Sequence, residues 1–267
     1  MQQADDLLAE GKDFYAFLKT LNEEDWSKPT PFKGWTPHDV VGHLHMGDWL
    51  AVLSMTDEPA FDALLEKRRS TSEQQQREAE ELSPALAAGS AIRDQWWGYF
   101  ERLCAELAER DPKGRVKWVG PSMSVRMCAT ARQMETWAHA QDIYDMLHAP
   151  RVHFDRIRNI AELGVRTFGW TFANRKMQPP GPAPAVRITA PSGELWSWDG
   201  EDGSSYVEGS ALEFCQVVTQ GRNIGDVNLT VVGDTAQQWM ASPMLCGRPK
   251  GPARAWGAGL GLRRIGA

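Results

Sequence analysis

The sequence predicts an α+β protein in which a helical bundle is followed by a smaller mixed domain. Through roughly the first 150 residues, apolar side chains recur at three- and four-residue intervals, which is the spacing of amphipathic helices. The segment KMQPPGPAPA at residues 176–185 interrupts this pattern, because proline and glycine break helices. Short runs rich in β-branched and aromatic residues then alternate with PSG and GEDG turns, as is typical of strands.

Four long helices with apolar faces are predicted in the first part, and such helices commonly pack as a bundle. Thr36 is a good N-cap for the second helix, Pro37 fits its first position, and Asp39 completes a capping box. The charge-rich stretch 56–82 is expected to form a loop and one solvated helix. The predicted helical spans are residues 2–22, 36–53, 83–110 and 122–147.

The second part is predicted to be a small α+β domain, because strands and helices are mixed within it. A helix-like segment at 155–175 precedes the breaker, and Ser210 with Glu213 reads as a capping box for a helix that ends near Gly221. The predicted strands AVRITA, ELWSWD and SSYVEG read as hairpins, and VNLTVVG is a further strand, followed by one more helix from Asp234. The predicted domains are residues 1–150 and 151–246, followed by a flexible Gly/Arg-rich tail at 247–267.

Composition and charge exclude several classes of protein. A net charge of −6 leaves no basic surplus for binding nucleic acid phosphates. No apolar run approaches the ~20 residues of a membrane span, and the N-terminus lacks the basic and apolar regions of a signal peptide. The scattered cysteines, without a CxxC pair, indicate reduced thiols; they are Cys104, Cys128, Cys215 and Cys246. We therefore predict a cytoplasmic protein with no nucleic acid or membrane partner.

The segment METWAHAQDIYDML at residues 134–147 carries the most informative polar side chains. Glu135 and His139 are one helical turn apart, so they present an oxygen and an imidazole nitrogen to one point. A solvated polar face is the simpler interpretation. However, Arg132 and Glu135 are the only charged residues between Met127 and Gln141, which indicates a buried helix. Buried ionisable groups need partners or a metal.

His43 in the second helix supplies a third potential ligand. It lies at the flank of an apolar stripe, and Gly47 one turn later is expected to leave space beside the imidazole. With Glu135 and His139 it would form a set of two histidines and one carboxylate with open coordination positions. Zinc accepts these ligands, and Fe(II) and Ni(II) are also compatible with them. No catalytic group besides these metal ligands is predicted.

Further residues are assigned supporting roles. Asp142 and Asp48 are predicted as hydrogen-bond acceptors that orient a ligand imidazole, with Asp142 the better placed. His45 points away from the other histidine of its helix and is expected at the surface or at a second site. Trp49 and Trp137 are expected to line an apolar substrate pocket near the metal.

The segments GWTPHDVVGHL and METWAHAQDIYDML together resemble the actinobacterial mycothiol-dependent maleylpyruvate isomerase family, within the wider DinB-like metal-binding bundles. The resemblance implies a DinB-like four-helix bundle whose metal triad is His43, Glu135 and His139. It also implies a sterol-carrier-like α+β domain over residues 151–246. In that family an arginine near the end of a C-terminal helix helps to hold the thiol cofactor, and Arg222 is the nearest match.

The resemblance implies a metal-dependent isomerase or thiol S-transferase acting on a small molecule. Its divalent cation, expected to be zinc, would activate mycothiol or a similar low-molecular-weight thiol for isomerisation of, or S-transfer to, an electrophile. Two alternatives remain open. One is a thiol-independent Lewis-acid enzyme of secondary metabolism that catalyses hydrolysis, cyclisation or isomerisation. The other is a non-catalytic, metal-dependent protein that binds a small molecule.

Overall fold

The structure, a computed structural model, describes residues 1–70, 72–201 and 203–241. The α-helices are α1 Gln2–Leu18, α2 Pro37–Thr56, α3 Glu58–Arg69, α4 Glu73–Glu81, α5 Ala91–Glu109, α6 Val125–Leu147, α7 Arg158–Arg166, α8 Phe168–Ala173, α9 Ala211–Val218 and α10 Asp234–Ala241. The strands are β1 Arg115–Val116, β2 Met123–Ser124, β3 Ala185–Thr189, β4 Leu195–Trp198, β5 Tyr206–Ser210 and β6 Thr230–Val232. A helical first part and a later sheet confirm the predicted α+β class.

The described residues form two compact units. The first contains residues 1–29 and 35–140, and the second contains residues 30–34 and the described part of the chain from 141 onwards. The division falls inside α6, and the predicted domain boundary after residue 150 stays a prediction. The predicted tail at 247–267 lies outside the described residues. Among the described helices, none combines the length and the apolar composition that crossing a membrane requires.

Helix α2 begins where the sequence predicts, because its N-terminal cap forms as expected. The Thr36 hydroxyl accepts a hydrogen bond from the Asp39 backbone N–H at 3.2 Å. The Asp39 carboxylate in return accepts from the Thr36 backbone N–H at 2.9 Å. Pro37 occupies the first turn, where its missing N–H costs nothing. The cap therefore fixes the register of the helix that carries His43.

The predicted start of the third long helix at Ser83 is wrong, since α5 begins only at Ala91. The Gln95 side chain accepts from the Ala87 backbone N–H and donates to the Ala85 carbonyl, both at 2.7 Å. These two bonds give the Ala87 N–H and the Ala85 carbonyl hydrogen-bond partners although neither group lies in a helix. A side chain from the following helix thus replaces the helical hydrogen bonds that the sequence pattern suggests.

The charge-rich stretch 56–82 forms two helices, α3 and α4, rather than the predicted loop and single solvated helix. Phe61 and Leu64 of α3 and Ala79 of α4 are buried in one cluster with Leu50 of α2. A few apolar side chains at helical spacing therefore anchor a segment that is otherwise polar.

Helix α5 packs against α1 and α2 in the core of the first unit. Its Trp96 ring lies 5.4 Å from the Phe14 ring of α1 in an edge-to-face arrangement. Gly11 of α1 faces the ring of Phe100 so closely that a Cβ atom would overlap the aromatic carbons. Glycine at position 11 is thus required by the close approach of the two helices.

Substituting two helical glycines tests this packing. Gly11→Ala is expected to destabilise the protein by about 1–2 kcal/mol, because overpacking of the buried Phe100 ring outweighs the better helix propensity of alanine. Gly98→Ala in α5 is the matched control, since no atom lies within 4 Å of its Cβ position. It should stabilise the protein by about 0.5–1 kcal/mol. Urea unfolding measures both, and a stabilised Gly11→Ala variant would contradict the packing described here.

The sheet of the second unit has the strand order β4-β3-β5-β6. Strands β3 and β4 form the predicted hairpin, but β5 pairs with β3 in parallel, so a second hairpin between β4 and β5 is wrong. Of the described residues between β4 and β5, Ser205 lies at the start of β3, where its carbonyl accepts a hydrogen bond from the Ala185 N–H at 2.9 Å. The Glu201 N–H also donates to the Ala183 carbonyl at 3.1 Å, which leads the chain past β3 to its other edge.

Two helix boundaries of this unit differ from the sequence prediction. The predicted helix at 155–175 is divided into α7 and α8 at Thr167, whose hydroxyl donates to the Leu163 carbonyl at 2.6 Å. The predicted capping box of α9 does not form, because Ser210 makes no side-chain cap bond. Glu213 instead accepts hydrogen bonds from the backbone N–H and side-chain amide of Asn228. Helices α7 and α9 pack against each other, and α9 contacts the sheet.

Candidate metal centre

Helices α2 and α6 bring the three predicted ligand residues together. The Nε2 atom of His43 lies 3.3 Å from Oε2 of Glu135, and Nε2 of His139 lies 3.5 Å from the same oxygen. One ligand atom from each residue lies within 4.8 Å of the others. That these residues hold a metal stays a prediction, which can be tested against the geometry and the charge of the cluster.

The spacing of the three ligand atoms suits a shared cation. Hydrogen bonds from N–H to oxygen are most often about 2.9–3.0 Å long, so separations of 3.3 and 3.5 Å are long for direct bonds. A tetrahedral zinc ion bonded at ~2.0–2.1 Å places neighbouring ligand atoms roughly 3.3–3.4 Å apart. The donor set and the two separations from Glu135 are therefore compatible with a metal held by three protein ligands.

The protonation states of the ligands also fit a metal. Burial lowers the pKa of His43, which keeps its imidazole neutral at neutral pH. Burial alone would raise the pKa of Glu135, but the hydrogen bonds from His139 and His43 bring it below its ordinary value. Neutral imidazole and ionised carboxylate are the forms that bind metal ions.

A second buried network lies beside the cluster. Asp48 accepts a hydrogen bond from Nε of Arg132 at 2.8 Å and from the Trp96 indole at 2.9 Å. Arg132 also donates to the Leu44 carbonyl at 3.3 Å. Burial opposes the charged guanidinium, but the Asp48 and Glu135 carboxylates raise the pKa of Arg132. The sequence suggests Asp48 as an acceptor for a ligand histidine, whereas the structure pairs both of its oxygens with Arg132 and Trp96.

Gly47 provides the room for this ion pair. A Cβ atom at Gly47 would lie 2.7 Å from Nη1 and 2.9 Å from Cζ of Arg132. The space that the sequence assigns to the side of the His43 imidazole is therefore filled by the guanidinium.

The two networks together have an excess of buried negative charge. The positive charge of Arg132 is paired with Asp48, which leaves the Glu135 carboxylate, only 12% exposed, to be balanced otherwise. Burial disfavours the protonated form of His43. A divalent cation between the ligand atoms would supply the missing positive charge.

The sequence of the chain matches a known protein family. Residues 7–144 match the family model described as the mycothiol maleylpyruvate isomerase N-terminal domain. The chain belongs to this family. The match spans α2 and α6, the two helices that carry the cluster, and it confirms the resemblance drawn from their sequence motifs.

Relatives of this family member are similar over nearly their whole length. Two proteins of Mycobacterium tuberculosis, from strains CDC 1551 / Oshkosh and ATCC 25618 / H37Rv, are each described as uncharacterized. Each is 36% identical over 249 residues, covering 93% of this chain and 96% of its own. A crystal structure of the mycothiol-dependent maleylpyruvate isomerase shares the fold with a TM-score of 0.53 at 15% identity, covering 86% of this chain and 91% of its own. A histidine-to-alanine mutant of that isomerase gives a TM-score of 0.50 at 13% identity with the same coverage.

His45 and Asp142 are both buried in this family member. His45 is fully buried with its ring 5.0 Å from that of Tyr99, so the expected surface position is wrong. Burial lowers the pKa of His45 to about 4. Asp142 is 4% exposed and lies three residues beyond His139 on α6, and its role as an acceptor for a ligand imidazole stays a prediction.

Arg222 follows α9 and is held by an acidic residue of α6. Its Nη1 and Nη2 atoms each lie 2.8 Å from one carboxylate oxygen of Asp145. Nη1 also donates to the Gly221 carbonyl at 2.8 Å. The hydrogen bond to Asp145 and its charge raise the pKa of Arg222. The guanidinium is thus fixed in orientation, and its predicted contact with a thiol cofactor stays a prediction.

One aromatic residue that contacts two of the three ligand residues is not among those predicted from the sequence. Trp35 lies with its ring 5.3 Å from that of His43 and 6.0 Å from that of His139. Trp49, expected to line a substrate pocket, instead packs against the hydrophobic group that contains Leu50 and Phe61. Trp137 is 1% exposed and is part of the core. The signal for Trp35 is its place directly before the N-cap of α2.

Substituting the ligands tests the metal centre. His43→Ala, Glu135→Gln and His139→Ala should each abolish the binding of one zinc ion per chain, because each removes one of three protein ligands. Zinc should also raise the melting temperature of the wild type but not of these variants. His148→Asn is the control, since it removes an exposed imidazole elsewhere. Metal content is measured by mass spectrometry on folded protein, and stoichiometric zinc in the three variants would exclude this site.

A second prediction concerns the buried ion pair of Arg132 and Asp48. Arg132→Met should cost roughly 3–5 kcal/mol of the free energy of unfolding, because it leaves the Asp48 carboxylate buried without its partner. Adding Asp48→Asn to Arg132→Met should recover part of that loss, since the uncompensated charge is removed while Trp96 keeps an acceptor. Urea unfolding of both variants measures the difference. A double variant less stable than the single one would contradict the pairing.

Proposed function

We propose that this protein is a metal-dependent enzyme that uses a low-molecular-weight thiol of the mycothiol type. The reaction would be isomerisation of, or S-transfer to, an electrophilic small molecule. The observation that carries the proposal is the buried cluster of His43, Glu135 and His139 in a member of the mycothiol maleylpyruvate isomerase family. The solved relatives that share its fold are named as mycothiol-dependent isomerases, which supports the same chemistry here.

The residues of the cluster would hold a divalent cation, with zinc the expected ion. His43 and His139 offer Nε2 atoms and Glu135 offers Oε2. A metal with three protein ligands keeps a position for a further ligand. The cation would lower the pKa of a thiol bound to it, so that a nucleophilic thiolate is present near neutral pH.

The thiol is expected to come from outside the chain. Burial raises the pKa of the described cysteine thiols, to about 12 for Cys128 and above the ordinary range for Cys104 and Cys215. All three are buried and free. Inert, protonated cysteines in the described part of the chain favour an external thiol as the nucleophile.

We assign two further residues to supporting roles in this proposal. Arg222 would bind a polar or anionic group of the thiol cofactor, because its fork is already oriented by Asp145 and has more N–H donors than its two hydrogen bonds and one further ion-pair contact with described residues use. Asp142, buried on α6, would accept a hydrogen bond from a ligand imidazole and so fix its tautomer.

An assay with and without thiol tests the proposed reaction. Zinc-loaded protein is incubated with maleylpyruvate and with a panel of activated alkenes, each in the presence of mycothiol, of S-methylated mycothiol, or of no thiol. We expect turnover only with free mycothiol, and a fall to background in Glu135→Gln, because the cation and the thiolate it stabilises are both required.

Other outcomes of the assay distinguish the alternatives. Turnover that is independent of thiol but lost in Glu135→Gln would indicate a Lewis-acid enzyme instead. Stoichiometric zinc without turnover of any compound would contradict the proposed enzyme and favour a metal-dependent binding protein.

A further inference from the structure

We infer that Trp35 is the positioning residue of the metal centre: its ring contacts, instead of a hydrogen-bond acceptor, orient the His43 imidazole. The inference deepens the proposed function and rests on the metal site contained in it.

Three aromatic rings meet at the cluster. The Trp35 ring lies 5.3 Å from the His43 ring at an interplanar angle of 54°. It lies 6.0 Å from the His139 ring, and these two planes are nearly parallel at 18°. The two imidazoles are 4.8 Å apart at 69°. Trp35 therefore contacts both histidines that would bind the metal, one from each helix.

The second nitrogen of His43 has no conventional support. Its Nε2 faces Glu135, while its Nδ1 is buried and makes no hydrogen bond to any group that the structure describes. Metal-binding histidines almost always donate this second N–H to a carboxylate, a carbonyl or water, which sets the orientation of the ring. Asp48, five residues beyond His43 on α2, is already occupied by Arg132 and Trp96. The neighbouring rings are then the contacts that restrain the imidazole.

The N-terminal cap of α2 holds Trp35 in place. Trp35 immediately precedes Thr36, whose backbone N–H and hydroxyl both donate to the Asp39 carboxylate at 2.9 Å. The cap thereby fixes the chain next to Trp35 relative to the helix that carries His43. The capping box of α2 therefore helps to fix Trp35, and the indole ring of Trp35 in turn contacts the two histidines that would bind the metal.

Titration with Co²⁺ tests this role. Trp35→Leu keeps an apolar side chain but loses the ring, and it should weaken Co²⁺ binding by about 10- to 100-fold, the range found when support of a ligand is removed. Trp35→Phe keeps an aromatic face and should restore most of the affinity. Trp97→Leu is the matched control, because this half-buried tryptophan stacks on Tyr15 at 4.6 Å in the same unit and should leave Co²⁺ binding unchanged.

Fluorescence gives a readout that general loss of structure would not produce. Bound Co²⁺ quenches an indole only at short range, so wild-type protein should lose part of its tryptophan emission on titration. Trp35→Phe should bind Co²⁺ without that component, and Trp97→Leu should retain it. Equal quenching in Trp35→Phe and wild type would overturn the inference.

The NMR signals of the imidazole C–H groups in metal-free protein separate this inference from the proposed function. Trp35→Leu should shift the signals of His43 and His139, because the ring current of the indole is lost, and Trp97→Leu should not. Unshifted signals together with unchanged Co²⁺ affinity in Trp35→Leu would overturn the inference and leave the proposed function standing. Absence of Co²⁺ binding in wild type would overturn the proposed function, and shifted signals would then still support the contact of Trp35 with both imidazoles.

Discussion

Charge buried between α2 and α6 is the constraint on which the first unit depends. An apolar bundle can hold Arg132, Asp48 and Glu135 only if each charge is compensated, since an isolated buried ion is strongly destabilising. Arg132 and Asp48 compensate each other, with Trp96 as a further donor. Glu135 has no cationic side chain as a partner among the residues that the structure describes, and it is flanked by two imidazoles. The same helix contact therefore contains one satisfied ion pair and one carboxylate that the proposed metal ion would neutralise.

The helix register determines which of these arrangements each side chain joins. Along α2, His43 and Asp48 are five residues apart and reach different partners on α6, namely Glu135 and Arg132. Gly47, between them, allows the guanidinium to approach the helix backbone. The capping box at Thr36 sets where this series begins. A shift of one residue at the start of α2 would move every one of these side chains by about 100° and separate both networks.

The sequence is informative where structure is determined locally. The cap of α2, the buried character of α6 and the pairing of Glu135 with His139 follow from patterns within one helix, and the structure contains all three. The contacts of Asp48 could not be predicted, because Arg132 and Trp96 are distant in sequence and compete with the histidines for the same carboxylate. The delayed start of α5 depends on the side chain of Gln95, which bonds the backbone eight to ten residues earlier, and the parallel pairing of β5 depends on hydrogen bonds to the distant strand β3; neither follows the helical or hairpin pattern of the local sequence.

The charge of the cluster also bears on what it would bind. Because Arg132 and Asp48 neutralise each other, the ligand set contributes one negative charge from Glu135 and none from His43, whose lowered pKa keeps it neutral. Together with a divalent cation, and with His139 in its neutral metal-binding form, the centre would retain one net positive charge. In a buried site that charge favours a single anionic ligand, since a neutral ligand would leave it uncompensated. A thiolate would complete the balance, as would a hydroxide ion, whereas a neutral carbonyl compound would not, so the charge of the site favours the proposed thiol over direct Lewis-acid activation of a neutral carbonyl.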